Sequence, residues 1–181
     1  QGESFRLFAG NCVIQPPEIR HKVLYASDNI EVIEIGVPAE HVTTIDHDME
    51  LPTKEFNPER EFSGQKFVHN KADEAKWSDF RIPGFTCRDT TIAKNTKNVA
   101  GVQVIRPNGE AIKPTKHDCD ILFNFVMEGK MTLAADGQPT NKLTAGDAFV
   151  IPPNLMTEYS NISKDLELLE VSLPGLFKTN Y

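Results

Sequence analysis

The stretch LFAGNCVIQPPEIRHKVLYASDNIEVIEIGVPAEHVT, Leu7 to Thr43, lies without a gap over LTAGDAFVIPPNLMTEYSNISKDLELLEVSLPGLFKT, Leu143 to Thr179. The offset stays at 136 residues throughout. Ala9, Gly10, Pro16, Pro17, Ser27, Glu31, Glu34, Pro38 and Thr43 meet identical residues at Ala145, Gly146, Pro152, Pro153, Ser163, Glu167, Glu170, Pro174 and Thr179. An internal repeat is read before any local pattern, because missing it misassigns the whole fold. The second copy is preceded by a long run of strand-like segments, the first by almost nothing. Residues 1–43 therefore read as the C-terminal half of a first unit, and residues 66–181 as a complete second one. Between them TIDHDMELPTKEFNPEREFSGQ, Thr44 to Gln65, is rich in charge and proline and reads as a linker over residues 44–65. The chain opens on Gln1 rather than methionine, and the expectation is that the front of the first unit lies upstream of Gln1.

Within the second unit the local patterns are those of short antiparallel strands: FTCRDTTIA, AGVQVIRP, ILFNFVM, KMTLAA, DAFVIP, TEYSN and LELLEVSL. Helical periodicity is almost absent. Gly129 in MEGK and Asp136-Gly137 in AADGQ supply the positive φ that tight hairpins demand. Pro152-Pro153 interrupts a strand, where a central ladder bond could not form. Many short strands at this spacing predict an all-β closed barrel or jelly roll.

Composition narrows the classes of function. Apolar residues are 39% and charged residues 25% of the 181, which is ordinary for a folded globular chain. A net charge of −7 with scattered lysines and arginines disfavours nucleic acid as a partner. No apolar run approaches a membrane span, and the first residues lack the basic head and apolar stretch of a signal peptide. Cys12, Cys87 and Cys119 form no CxxC pair, so neither a disulfide framework nor a zinc ribbon is expected. The expected setting is a reducing, cytoplasmic one.

These segments resemble the cupin superfamily. The stretch from Gly109 to Gly129 is similar in layout to its first motif, and that from Gly146 to Asn161 to its second. FNFVMEGKMTL and GDAFVIPP look like phrases of small bacterial cupins, and QPPEIRH like a well-formed second motif. The resemblance implies a cupin-type double-stranded β-helix, or jelly-roll barrel, preceded by half of another in a bicupin-like order. It also implies a metal-dependent small-molecule enzyme, dioxygenase- or isomerase-like, holding Fe, Mn, Ni or Zn with three histidines and a carboxylate. The alternative is a non-enzymatic, metal-free cupin that binds a small molecule or serves as a scaffold.

At the four ligand positions the complete unit carries Thr115, His117, Leu122 and Thr157. One imidazole does not hold a catalytic metal, so none is expected in the C-terminal barrel. The metal expectation passes to the first unit, where His21 aligns with Thr157 and would need partners from outside this chain. Thr115, His117, Asn124, Thr157 and Tyr159 are expected to face inward. They either line a pocket for a small polar ligand or satisfy one another and buried water. His117 reads as a remnant ligand or acid/base group, or as a hydrogen-bonded barrel histidine. Cys119 reads as its soft-metal partner or as a buried structural thiol. Trp77 and Phe80 read as an apolar strip closing one barrel end or packing on a neighbour. The half unit would leave strand edges and the side chains of Val13, Val23, Val32 and Ile33 uncovered. A homo-oligomer, a homodimer for instance, or an association with an upstream fragment is expected to cover them.

Overall fold

The computed structural model describes residues 2–110 and 112–181. Its regular structure there is almost wholly β. The N-terminal part contributes β1 (Cys12–Ile14), β2 (Glu61–Phe62), β3 (Gln65–Lys66) and β4 (Val68–Asn70). Then come β5 (Trp77–Asp79), β6 (Phe85–Asp89), one helical turn α1 (Ile92–Asn95), β7 (Gly101–Pro107) and β8 (Lys116–His117). The chain continues through β9 (Ile121–Glu128), β10 (Lys130–Ala135), β11 (Asn141–Thr144) and β12 (Ala148–Ile151). It ends with β13 (Thr157–Ser160), β14 (Glu167–Leu173) and β15 (Thr179–Asn180).

Two sheets face each other. The larger runs β12-β9-β14-β7-β6-β5 and the smaller β11-β10-β13, with neighbouring strands antiparallel in both. Alternation along the central strands sends Leu122, Asn124 and Val126 of β9 inward with Leu168, Glu170 and Ser172 of β14. From the smaller sheet Met131, Leu133 and Tyr159 close the core. The Tyr159 ring meets Phe85 and Phe149 edge-on at 6.1 and 6.4 Å. Val126, Leu168 and Ile105 are fully buried, and burial of one such side chain contributes roughly 1.5–3 kcal/mol. This is the all-β jelly-roll architecture that the strand pattern predicts.

One local expectation is corrected. FTCRDTTIA is strand only as far as Asp89; beyond it the chain turns into α1. The Asp89 carboxylate accepts the Thr91 N–H at 2.7 Å, and the Thr90 hydroxyl donates to the Val102 carbonyl at 2.7 Å. Short polar side chains here capture the backbone that a longer strand would have needed. The segment read as a linker ends in a two-residue hairpin between β2 and β3. Its Ser63 and Gly64 both have positive φ, as such a turn requires.

The first forty-eight residues touch the barrel at one place. β1 pairs with β4, the Arg88 guanidinium donates to the Gly10 carbonyl at 2.8 Å, and Phe5 stacks on His69. From Arg20 to Asp48 every residue is exposed, and among the described residues this stretch forms no strand. No helix among the described residues is long and apolar enough to cross a membrane.

Candidate functional site

Antiparallel register sets the site. Directly opposed residues share a face, so Asn124 on β9, Glu170 on β14, Gln103 on β7 and Asp89 on β6 form one row across the inner face of the larger sheet. An apolar row of Val126, Leu168 and Ile105 flanks it on one side, and Leu122 with Ser172 on the other. Glu170 is thus a carboxylate in the middle of a barrel wall.

Arg81 answers it from the loop after β5. Its Nη2 donates to the Glu170 carboxylate and its Nη1 to the Thr179 hydroxyl at 3.1 Å. The rings of Phe80 and Phe177 each lie 4.7 Å from its guanidinium carbon. The Tyr181 hydroxyl donates to the Arg81 carbonyl at 2.5 Å. The guanidinium is thereby fixed before any ligand arrives, while its Nε–H is buried and without a partner. A cavity of about 230 Å³ opens here, lined by Arg81, Glu170, Gln103, Ser172, Asp79, Asp89, Phe80 and Phe177 among others.

Burial pushes the Glu170 carboxyl above the usual carboxylate range, against the opposing pull of Arg81. Burial, with the Glu170 charge adding to it, also raises the Tyr159 phenol and the Cys119 thiol, the latter to about 11. The site can therefore offer a fixed cation, a carboxyl able to hold or release a proton, and buried hydrogen-bonding groups. Next to Glu170 in the row, outside the cavity lining, the Asn124 amide is fully buried, and neither its oxygen nor its nitrogen has a hydrogen-bond partner. Such groups are nearly always satisfied in folded proteins, by water or a ligand where not by protein.

All five residues of the sequence-expected pocket are buried. Thr115 and Thr157 face each other in a bridge, with reciprocal backbone bonds of 2.8 Å. The Thr157 hydroxyl donates to the Thr115 carbonyl at 3.2 Å. His117 Nε2 donates to the Ile151 carbonyl at 3.1 Å, which leaves Nδ1 to accept from the Cys119 thiol at 3.0 Å. Burial lowers the His117 pKa, and the bond to Ile151 opposes that shift. The cavity itself is lined by other residues, of which Arg81 and Glu170 were not singled out from sequence. One signal for Glu170 was present: in LELLEVSL a charged residue falls on the same alternation as Leu168.

Residues 101–172 match the family model described as Cupin domain. The matched segment covers β7 to β14, the core of the barrel. Among solved structures the chain is similar to the polyketide cyclase RemF from Streptomyces resistomycificus, at 20% identity and TM-score 0.49, over 60% of this chain and 80% of that one. It is similar to KdgF from Halomonas sp. at 20% identity and TM-score 0.44, over 57% of this chain and 91% of that one. It is also similar to salicylate 1,2-dioxygenase from Pseudoaminobacter salicylatoxidans, at 18% identity and TM-score 0.46, over 57% and 30% respectively. These are likenesses of fold. No curated protein matches the chain.

The metal that many cupins carry does not fit the donors that this chain has at the matching positions. Thr115, Leu122 and Thr157 offer no imidazole or carboxylate, and both nitrogens of His117 are engaged within the protein. Among the described residues no group of three or more His, Cys, Asp or Glu side chains is placed to hold a metal ion. His21 is exposed.

Proposed function

We propose that the cupin domain binds a small, oxygen-rich organic molecule in its barrel and that this barrel works without a transition metal. The observation that carries the reading is the cavity walled by Arg81 and Glu170, where the Arg81 Nε–H is buried and unpartnered, with the buried, unpartnered Asn124 amide next to Glu170 just behind the wall. A ligand that hydrogen-bonds there satisfies groups whose burial is otherwise unfavourable. Arg81 Nε and Gln103 supply further donors, and Glu170 supplies an acceptor or a proton. A site of this kind favours a hydroxylated or carboxylated molecule that fills about 230 Å³.

Dioxygenase- or isomerase-like chemistry through a metal would need donors to join His21 from outside this chain. Metal analysis of the purified 181-residue protein, beside a thermal-shift screen of small hydroxy acids, phenols and sugars, tests the reading. The expected result is substoichiometric metal and a ligand-dependent rise in melting temperature that Asn124→Leu abolishes. One equivalent of iron, manganese, nickel or zinc that Asn124→Leu leaves in place would overturn it.

A further inference from the structure

The repeat is visible in the backbone as well as in the letters. Asn11 donates to the Phe8 carbonyl at 3.0 Å, and Asp147, at the matching position, to the Thr144 carbonyl at 3.0 Å. Ile19 donates to the Pro16 carbonyl at 3.3 Å, and Leu155 to the Pro152 carbonyl at 3.4 Å. Gly10 and Gly146 share positive φ, and so do Glu18 and Asn154. β1 occupies the place of β12. Residues 8–19 therefore fold as residues 144–155 do, and the likeness stops where the exposed stretch begins.

Beyond that point the same positions have opposite surroundings. Tyr159, Leu166, Leu168 and Val171 are buried, whereas their counterparts Val23, Ile30, Val32 and Ile35 are exposed. The contrast is widest between Leu168, at 0% accessible, and Val32, at 73%. In the complete unit the cover is the barrel's front half. Tyr159 lies opposite Leu133 of β10, Leu168 opposite Val126 of β9 and Ile105 of β7, and Val171 opposite Phe123 and Val102.

We propose that residues 20–43 dock as the back half of a second cupin-type barrel, on a polypeptide front half patterned like β7, β9 and β10. The occupant is a set of antiparallel strands, with apolar branched or aromatic residues at the positions that face Val23, Val32 and Ile35. Main-chain ladder bonds would hold it and those side chains would set its register. β1, already paired with β4, holds the docking stretch at its root.

The register makes a direct test available, because Lys142 can be joined to Leu7 just as it is joined to Leu143. A fused chain of residues 66–142 followed by 7–181 should fold a second barrel. Amide exchange over residues 31–37 should slow by about 100-fold or more against the 181-residue chain. Val32→Asp with Ile35→Asp in the fused chain should restore fast exchange. Unchanged exchange in a soluble fused chain overturns the proposal. If the fused chain is insoluble, tagged residues 66–142 co-expressed with the 181-residue chain should capture it but not its Val32→Asp, Ile35→Asp variant; equal capture or none also overturns it. So does concentration-dependent dimerisation of the 181-residue chain that by itself protects residues 31–37, since the occupant would then be a second copy.

Discussion

The Arg81 guanidinium meets the Glu170 carboxylate inside the barrel, with the rings of Phe80 and Phe177 each 4.7 Å from its central carbon. The side chains are 21% and 3% accessible. Desolvation of such a pair roughly offsets its attraction, but removal of one partner leaves the other charge buried alone. Arg81→Met should therefore destabilise by about 3 kcal/mol, read by urea denaturation at pH 7. Glu170→Gln should cost less, because the amide still accepts from Arg81 and the cation left behind, at 21% accessible, keeps more water than the 3% accessible carboxylate would. Equal costs would mean that Arg81 acts through its ring contacts alone.

The same pair sets a pH dependence. The Glu170 pKa in the folded state lies above its ordinary value of 4.5, so the folded state binds the proton more tightly than the unfolded chain. Its contribution is fully present below about 4.5 and is lost as pH rises through the raised folded value. Glu170→Gln should flatten the fall in stability above that pH, and Arg81→Met should extend it to higher pH. Denaturation midpoints from pH 4 to 8 would show both, and parallel curves for all three proteins would contradict them.

Asn124 is expected to trade stability for binding. Replacing a buried amide that has no partner with an apolar side chain of similar size should stabilise the free protein by about 1–3 kcal/mol. The expected outcome for Asn124→Leu is a higher melting temperature together with loss of any ligand-induced shift. A lower melting temperature would mean that the amide is already satisfied by ordered water.

The barrel was legible because its signals are local and redundant. Alternation in ILFNFVM and LELLEVSL placed two central strands, and Gly129 and Gly137 take the positive φ expected of hairpin turns. The site was less so. Arg81 precedes no motif and reaches Glu170 across 89 positions of chain, a pairing that only the closed sheet creates. His117 and Cys119 share a face as their spacing implies, yet the spacing could not tell that both imidazole nitrogens would be engaged within the protein. Beyond Asp89 the segment read as strand turns away, as the Thr91 N–H bonds to the Asp89 carboxylate and the Thr90 hydroxyl to the Val102 carbonyl, a competition that alternation does not register.

Burial that raises the Cys119 thiol to about 11 keeps it protonated at neutral pH, and the thiolate is the reactive form. Cys119 and buried Cys87 should resist a disulfide-exchange reagent at pH 8 in the folded protein and react at once in denaturant. His117, held below its ordinary 6.5 by burial, acts in the opposite direction to Glu170: its contribution is present above about 6.5 and is lost as pH falls toward the lowered value. His117→Gln should remove that loss between pH 6.5 and 5. Rapid labelling of Cys119 in the folded state would show instead that the barrel end opens readily.

Gly129 turns β9 into β10 with φ of +77°. A Cβ there would lie 2.7 Å from the Leu166 backbone nitrogen and 2.5 Å from the Ser163 hydroxyl. The serine could move, but the backbone is held where β14 begins its pairing with β9. Gly129→Ala combines a strained φ with that clash and should cost about 1–3 kcal/mol. Gly137→Ala provides the control, since it has φ of +71° with open space around the added carbon. Its cost should be the conformational part alone, about 1 kcal/mol. The difference between the two melting curves isolates the steric contact, and equal losses would mean that the Ser163–Leu166 loop yields without resistance.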